Sequence, residues 1–232
     1  MATKALTKQK AASVEARKFI TRVYAWMTLA LFISGALAWI ISNTPSILNL
    51  VWKSKYVFYG LAIGEIIFVF WFTAVIEKIK PVTAVIAFIF YSILNGVTLS
   101  AIFAIFKLNS IYLIYLVSAL MFAAMSVYGM FTKTHINSFF RYLSMLMIGL
   151  VIAFVINWFL KSDIFSWIIS FVSVILFMIL TAYDTNKIVK ASELADGSDT
   201  YKKASVYGAL ELYIDFIGIF LSLLKLFGRE KD

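Results

Sequence analysis

The stretch ASVYGALELYIDFIGIFLSLLKLF, Ala204 to Phe227, is long enough to cross a bilayer, yet Glu211 and Asp215 sit inside it. About 20 apolar residues rising ~1.5 Å each cover the hydrocarbon core. At helical spacing Ser205, Gly208, Glu211, Asp215, Gly218 and Ser222 share one face, and Leu, Ile, Phe, Val and Tyr take the others. A charge facing lipid tails at the membrane centre costs several kcal/mol, so the small and acidic stripe must face protein or water. This segment is therefore expected at the centre of a helical bundle.

Composition supports a membrane setting. The 232 residues are 62% apolar and only 14% charged, against about a quarter charged in soluble domains. No cysteine is present, which removes disulfide and thiolate chemistry, and the one histidine, His135, cannot build a multi-histidine zinc site. His135 itself reads as a solvated loop residue. The net charge of +9 comes from Lys and Arg at the ends of apolar runs, where orientation and anionic lipid explain them and nucleic-acid binding is not expected.

Seven spans follow along the chain: Phe19 to Ile41, Tyr56 to Ile76, Pro81 to Phe106, Ile111 to Phe131, Tyr142 to Leu160, Ile164 to about Asp184 with room to continue as helix through Lys187 and Lys190, and the stretch above. Residues 1–18 form a basic N-terminal tail, 19–228 the membrane domain and 229–232 a short C-terminal tail. The uncharged run after the basic tail is far longer than a signal-peptide core and is expected to be retained. With the N-terminus inside, the inner segments hold 14 of the 21 Lys and Arg, which favours a cytoplasmic N-terminus and an external C-terminus. Asn43, Thr44 and Pro45 break the first span, and Pro81 suits the first turn of the third. The tryptophans, mostly near span ends, read as interfacial anchors.

The intramembrane acids are the candidate functional residues. Asp215 lies ~16 Å in from Ala204, near the midplane. Glu65 is also near midplane, and its structural alternative is a neutral acid bonded to a polar neighbour such as Asn95. Glu211, one turn nearer the inner surface, reads equally as pore lining or as an interfacial spacer. Asp184 ends the sixth span in TAYDTNKIVK and looks shallower than Asp215. The sixth span ends and the seventh begins on the inner side, so Asp184 and Asp215 are candidates to meet near the inner mouth. Two carboxylates within hydrogen-bonding distance in a poorly hydrated place cannot both stay ionised cheaply, and they share a proton. Such a pair ties two helices when singly protonated and parts them when fully charged. Carboxylates are also hard ligands suited to weak, transient Ca²⁺ contact. Weaker signals are a Ser/Thr stripe on the sixth span, expected to be ordinary helix packing, and NGVTLS (Asn95 to Ser100), where another backbone is expected to approach closely.

TAYDTNKI (Thr181 to Ile188), GALELYIDFIGIFLSLLKLFG (Gly208 to Gly228) and NGVTLSAIF (Asn95 to Phe103) resemble the Bax inhibitor-1 family, also called the transmembrane BAX inhibitor motif family. The resemblance covers nearly the whole chain after the basic tail, with the pairing of the AYDT and LYxDF motifs its most specific part. It implies an all-α membrane protein with six helices around a central C-terminal helix, and a bacterial inner-membrane location. It further implies a pH-sensitive Ca²⁺ leak whose sensor aspartates match Asp184 and Asp215, and links to cell-death suppression and to regulation of other membrane proteins. Glu211 is not matched to the pattern; as an extra acid it is expected to shift the proton affinity of the pair or add a cation contact.

The leading expectation is a passive, pH-gated cation leak, with Asp184 and Asp215 as gate and Glu65, Glu211 and Asn95 as lining candidates. The partners expected are the lipid bilayer, protons and Ca²⁺ as permeant ion, with no cofactor. One alternative is an interaction protein that modulates another membrane complex, such as a quality-control protease, through the basic tail. Another is a proton-coupled transporter using Glu65 and Asp215. An enzyme is not expected, since no nucleophile–base set or metal cluster is evident.

Overall fold

The computed structural model describes residues 2–52, 55–132 and 137–231, the side chains of 2–12, 50, 55, 58 and 137–140 excepted. His135 lies outside the described residues. Among them the chain forms eight helices: α1 (Ala2–Ser42), α2 (Pro45–Trp52), α3 (Lys55–Val75), α4 (Pro81–Ile105), α5 (Leu108–Phe131), α6 (Asn137–Leu160), α7 (Asp163–Ser192) and α8 (Asp199–Phe227).

Local chemistry explains the boundaries. The side chains of Ser42, Asn43 and Thr44 donate to the carbonyls of Trp39 and Ile40, satisfying the end of α1. Pro45 then opens α2, a short helix where only a break was expected, because proline's fixed φ suits a first turn. Trp52 closes α2 and donates its indole N–H to Ser100 Oγ at 3.1 Å, so it is bound to α4 and is more than an interfacial anchor. Pro81 takes the first turn of α4 as expected. Between α6 and α7 Lys161 adopts a left-handed φ of 51°. Asn157 Oδ1 accepts the Ser162 N–H, and Ser162 Oγ accepts the Phe165 N–H to cap α7. One helix outruns its expected limit: α1 is helical from Ala2, through the basic segment. α7 continues past Asp184 to Ser192, through Lys187 and Lys190 as the sequence allowed.

Among the described residues five helices hold stretches long and apolar enough to cross a membrane: Ser13–Ser42, Pro81–Ile105, Leu108–Phe131, Arg141–Leu160 and Asp163–Ser192. In α3 the apolar stretch is shorter, Tyr59–Val75. Their outer faces stay bare, with Phe70, Phe131 and Phe159 each more than 70% exposed. An apolar exterior on this scale suits lipid and not water.

α8 is the opposite. Val206, Ala209, Leu210, Leu212, Tyr213, Phe216 and Ile219 are all at most 2% exposed, although they point to several sides of the helix. Its apolar faces are covered along with the acidic stripe.

The chain divides into two compact units. One holds the residues up to Phe106 with Ile188–Tyr213 and Lys231; the other holds Lys107–Lys187 with Ile214–Glu230. In the first, α1 packs along α4, and Gly96 permits the approach: a Cβ there would stand 2.8 Å from the Ser34 carbonyl oxygen. The close backbone contact expected at NGVTLS is therefore present, and α4 runs through that segment unbroken. Segment 188–213 meets the start and the middle of α4, and Lys231 meets its end. Lys203 Nζ donates to the Glu77 carbonyl just ahead of α4, Tyr213 reaches Asn95, and Lys231 Nζ donates to the Phe103 carbonyl near its end.

In the second unit α5, α7 and the later part of α8 pack together. The Tyr115 ring meets Phe216 and Phe220 edge-on, and Phe122 meets Phe216. A Cβ on Gly129 would run into the backbone of Ala182, so only glycine lets α5 and α7 come this close. Asn186 Nδ2 donates to the carbonyls of Gly129 and Thr132, holding the end of α5.

Candidate functional site

Glu65 and Asn95 are brought together, as the structural alternative for Glu65 anticipated. Asn95 Nδ2 donates to Glu65 Oε2 at 3.1 Å, and the Thr98 hydroxyl donates to Oε1 at 2.6 Å. The Tyr213 hydroxyl donates to Asn95 Oδ1 at 2.8 Å. Three helices, α3, α4 and α8, are thus joined by one chain of hydrogen bonds. Tyr213 is fully enclosed, its ring edge-on to Phe88 and Tyr91, while Glu65 is half-buried.

Sequence reasoning missed Tyr213 and Thr98 as members of this ladder. By helical spacing Tyr213 falls on the apolar faces of the last span. A buried tyrosine keeps an O–H that must find an acceptor, and that was the available signal.

Asp184 and Asp215 both lie in the second unit, and both are buried, at 8% and 3% exposure. Oδ2 of Asp215 is sealed from solvent. Asp184 sits beside Thr185, whose hydroxyl pairs with Ser126 Oγ at 3.1 Å, and beside Asn186, so this part of α7 is pinned to the end of α5.

The level of each acid follows from one contact. Phe177 of α7 covers Gly218 of α8, and a Cβ on that glycine would stand 2.5 Å from the ring. The two helices run antiparallel, so Asp184 and Asp215 lie to the same side of this contact. At ~1.5 Å per residue, Asp184 is ~10 Å along and Asp215 ~4.5 Å along, an offset of about one turn. The Ser/Thr stripe on α7 behaves as ordinary packing: Ser170, Ser173 and Thr181 are buried and return their hydroxyls to carbonyls of their own helix. Glu211 is half-buried on α8, in the first unit.

A chain of long apolar helices with a lipid-compatible exterior and carboxylates held inside is a multi-pass membrane protein. This chain belongs to the Bax inhibitor-1 family: residues 16–232 match the family described as "Inhibitor of apoptosis-promoting Bax1". Among its relatives, "Inner membrane protein YbhL" of Escherichia coli K12 is 38% identical over 215 residues, 92% of each chain. An uncharacterized protein of Borreliella burgdorferi is 33% identical over 98% of each chain. The uncharacterized protein RP147 of Rickettsia prowazekii is 32% identical over 99% of this chain and 98% of its own.

Proposed function

We propose that this protein is a pH-sensitive, passive cation path of the inner membrane, with Ca²⁺ as its cargo and Asp184 with Asp215 as a proton-sharing latch. One observation carries the reading: both acids are buried, in the same compact unit, on two helices joined at Phe177 and Gly218. Sharing a proton holds α7 and α8 together; losing it places two charges in a poorly hydrated space, and their repulsion opens the path. A resident Ca²⁺ takes 6–8 oxygen ligands, more than two carboxylates supply. A sparse pair suits an ion in transit, which must leave as readily as it enters. The ladder from Glu65 to Tyr213 is assigned a lining and positioning role. No enzymatic step and no cofactor enter this reading.

The topology proposed with it is seven crossings, α1 and α3 to α8, around a central α8, with the N-terminus in the cytoplasm. Support comes from α8 having no exposed residue between Ser205 and Phe220, from its contacts at Glu77 and Asn95, and from the excess of Lys and Arg on the inner segments.

The test is Ca²⁺ flux into proteoliposomes at a series of pH values. Asp215→Asn and Asp184→Asn are each expected to alter flux and flatten its pH dependence. Curves that superimpose on the wild type would end the proposal.

A further inference from the structure

At the end of the molecule where α5 begins and α8 finishes, a groove of about 720 Å³ opens beside the second unit. Its mouth is basic, with Lys107 and Arg229, and Ser110 and Asn109 beside them. Below the mouth the walls turn apolar, with Leu113, Val117 and Phe227. These three are 63%, 40% and 65% exposed, so the groove is open along its side.

The two cations are fixed at one place by backbone pairing. The Lys107 N–H donates to the Arg229 carbonyl at 2.8 Å, and the Arg229 N–H donates to Ser110 Oγ at 3.0 Å. Lys107 also precedes the first turn of α5, which has no side-chain cap from it, and the partial positive charge of a helix start adds to the mouth. Glu230 adjoins Arg229 and leaves the mouth cationic on balance. From Lys107 to Val117 the groove descends ~15 Å along α5, about half the ~30 Å hydrocarbon thickness. Its depth is that of one leaflet.

We propose that this groove is a binding site for an anionic phospholipid: phosphate between Lys107 and Arg229, one acyl chain laid along Leu113, Val117 and Phe227. Charge and polarity change along the groove in the order they change along a phospholipid. Basic pockets between membrane helices are a recurrent way to select anionic headgroups. This site stands apart from Asp184 and Asp215 and does not depend on the cation path.

The test uses the full-length protein in mild detergent, with phosphatidylglycerol and phosphatidylcholine of matched chains, read by native mass spectrometry. Phosphatidylglycerol should be retained in preference to phosphatidylcholine. The double variant Lys107→Gln/Arg229→Gln keeps the backbone pairing and should lower phosphatidylglycerol retention roughly 30-fold, leaving phosphatidylcholine unchanged. Val117→Trp, which fills the groove, should lower both, and melting curves check that each variant is folded. Glycerol phosphate at millimolar concentration should displace nothing. Equal retention of the two lipids, undiminished phosphatidylglycerol on the folded double variant, or displacement by free glycerol phosphate would each overturn the assignment.

Discussion

Gly218→Ala is a direct test of how α7 and α8 are held in register. The new methyl would stand 2.5–2.6 Å from three carbons of the Phe177 ring, where carbon atoms ordinarily rest about 3.5–4.0 Å apart. Ring or helix must retreat by about 1 Å, and overpacking of this kind costs about 1–3 kcal/mol. The obstacle is a side chain, so it can be trimmed. Phe177→Leu alone should destabilise by removing ring contacts, and in the double variant the new methyl occupies the released space. Unfolding in detergent, followed by intrinsic fluorescence, should show a double variant more stable than the sum of the two changes by at least about 1 kcal/mol. The same retreat shifts Asp215 relative to Asp184, so flux against pH should move in Gly218→Ala and return in the double variant. Strictly additive losses would refute the contact and the levels counted from it. Gly129→Ala supplies the contrast. There the methyl meets the backbone of Ala182, no side chain can be shortened to make room, and no substitution at 182 should rescue it.

Tyr213→Phe removes the donor to Asn95 and leaves a buried acceptor without it; a loss of about 1 kcal/mol is expected, on the scale of hydrogen bonds between membrane helices. Equal stability of Tyr213→Phe and wild type in the same unfolding assay would show that the ladder contributes nothing there. In the loop between α7 and α8, Ser198 donates to Asp196 Oδ1 at 2.9 Å, and its side-chain and backbone bonds hold the Asp196 carboxyl below the ordinary carboxylate range. A lowered folded value means the stabilisation is complete above about pH 3.9 and is lost only as pH falls through the lowered value. Protection of the Ser198 amide should thus stay flat between about pH 5 and 8; loss within that window would contradict it, and a pH-dependent flux there must originate elsewhere.

Much of the arrangement was legible because lipid imposes strict terms on a chain. Runs of apolar residues marked α1, α4, α5, α6 and α7, and Pro81 and the KSD turn marked boundaries. Asn95 could be named as a neighbour of Glu65 because an acid at that depth needs a polar partner and few exist nearby. The enclosure of α8 was legible only on its acidic face. Leu210, Leu212 and Ile219 are as welcome against lipid as against protein, so periodicity does not reveal which they meet. α2 escaped notice because eight mostly apolar residues after a break look the same as loop or helix. The glycines were harder still: Gly96, Gly129 and Gly218 read as small residues, and their value lies in what stands opposite each of them.

The ladder through Tyr213 also bears on how the protein is made. Residue 213 emerges 118 residues after Asn95, when α3 and α4 have already been made. Until then the Asn95 side-chain carbonyl lacks its final donor. Arrival of the tyrosine supplies that donor, so the ladder closes only once the last helix has been made.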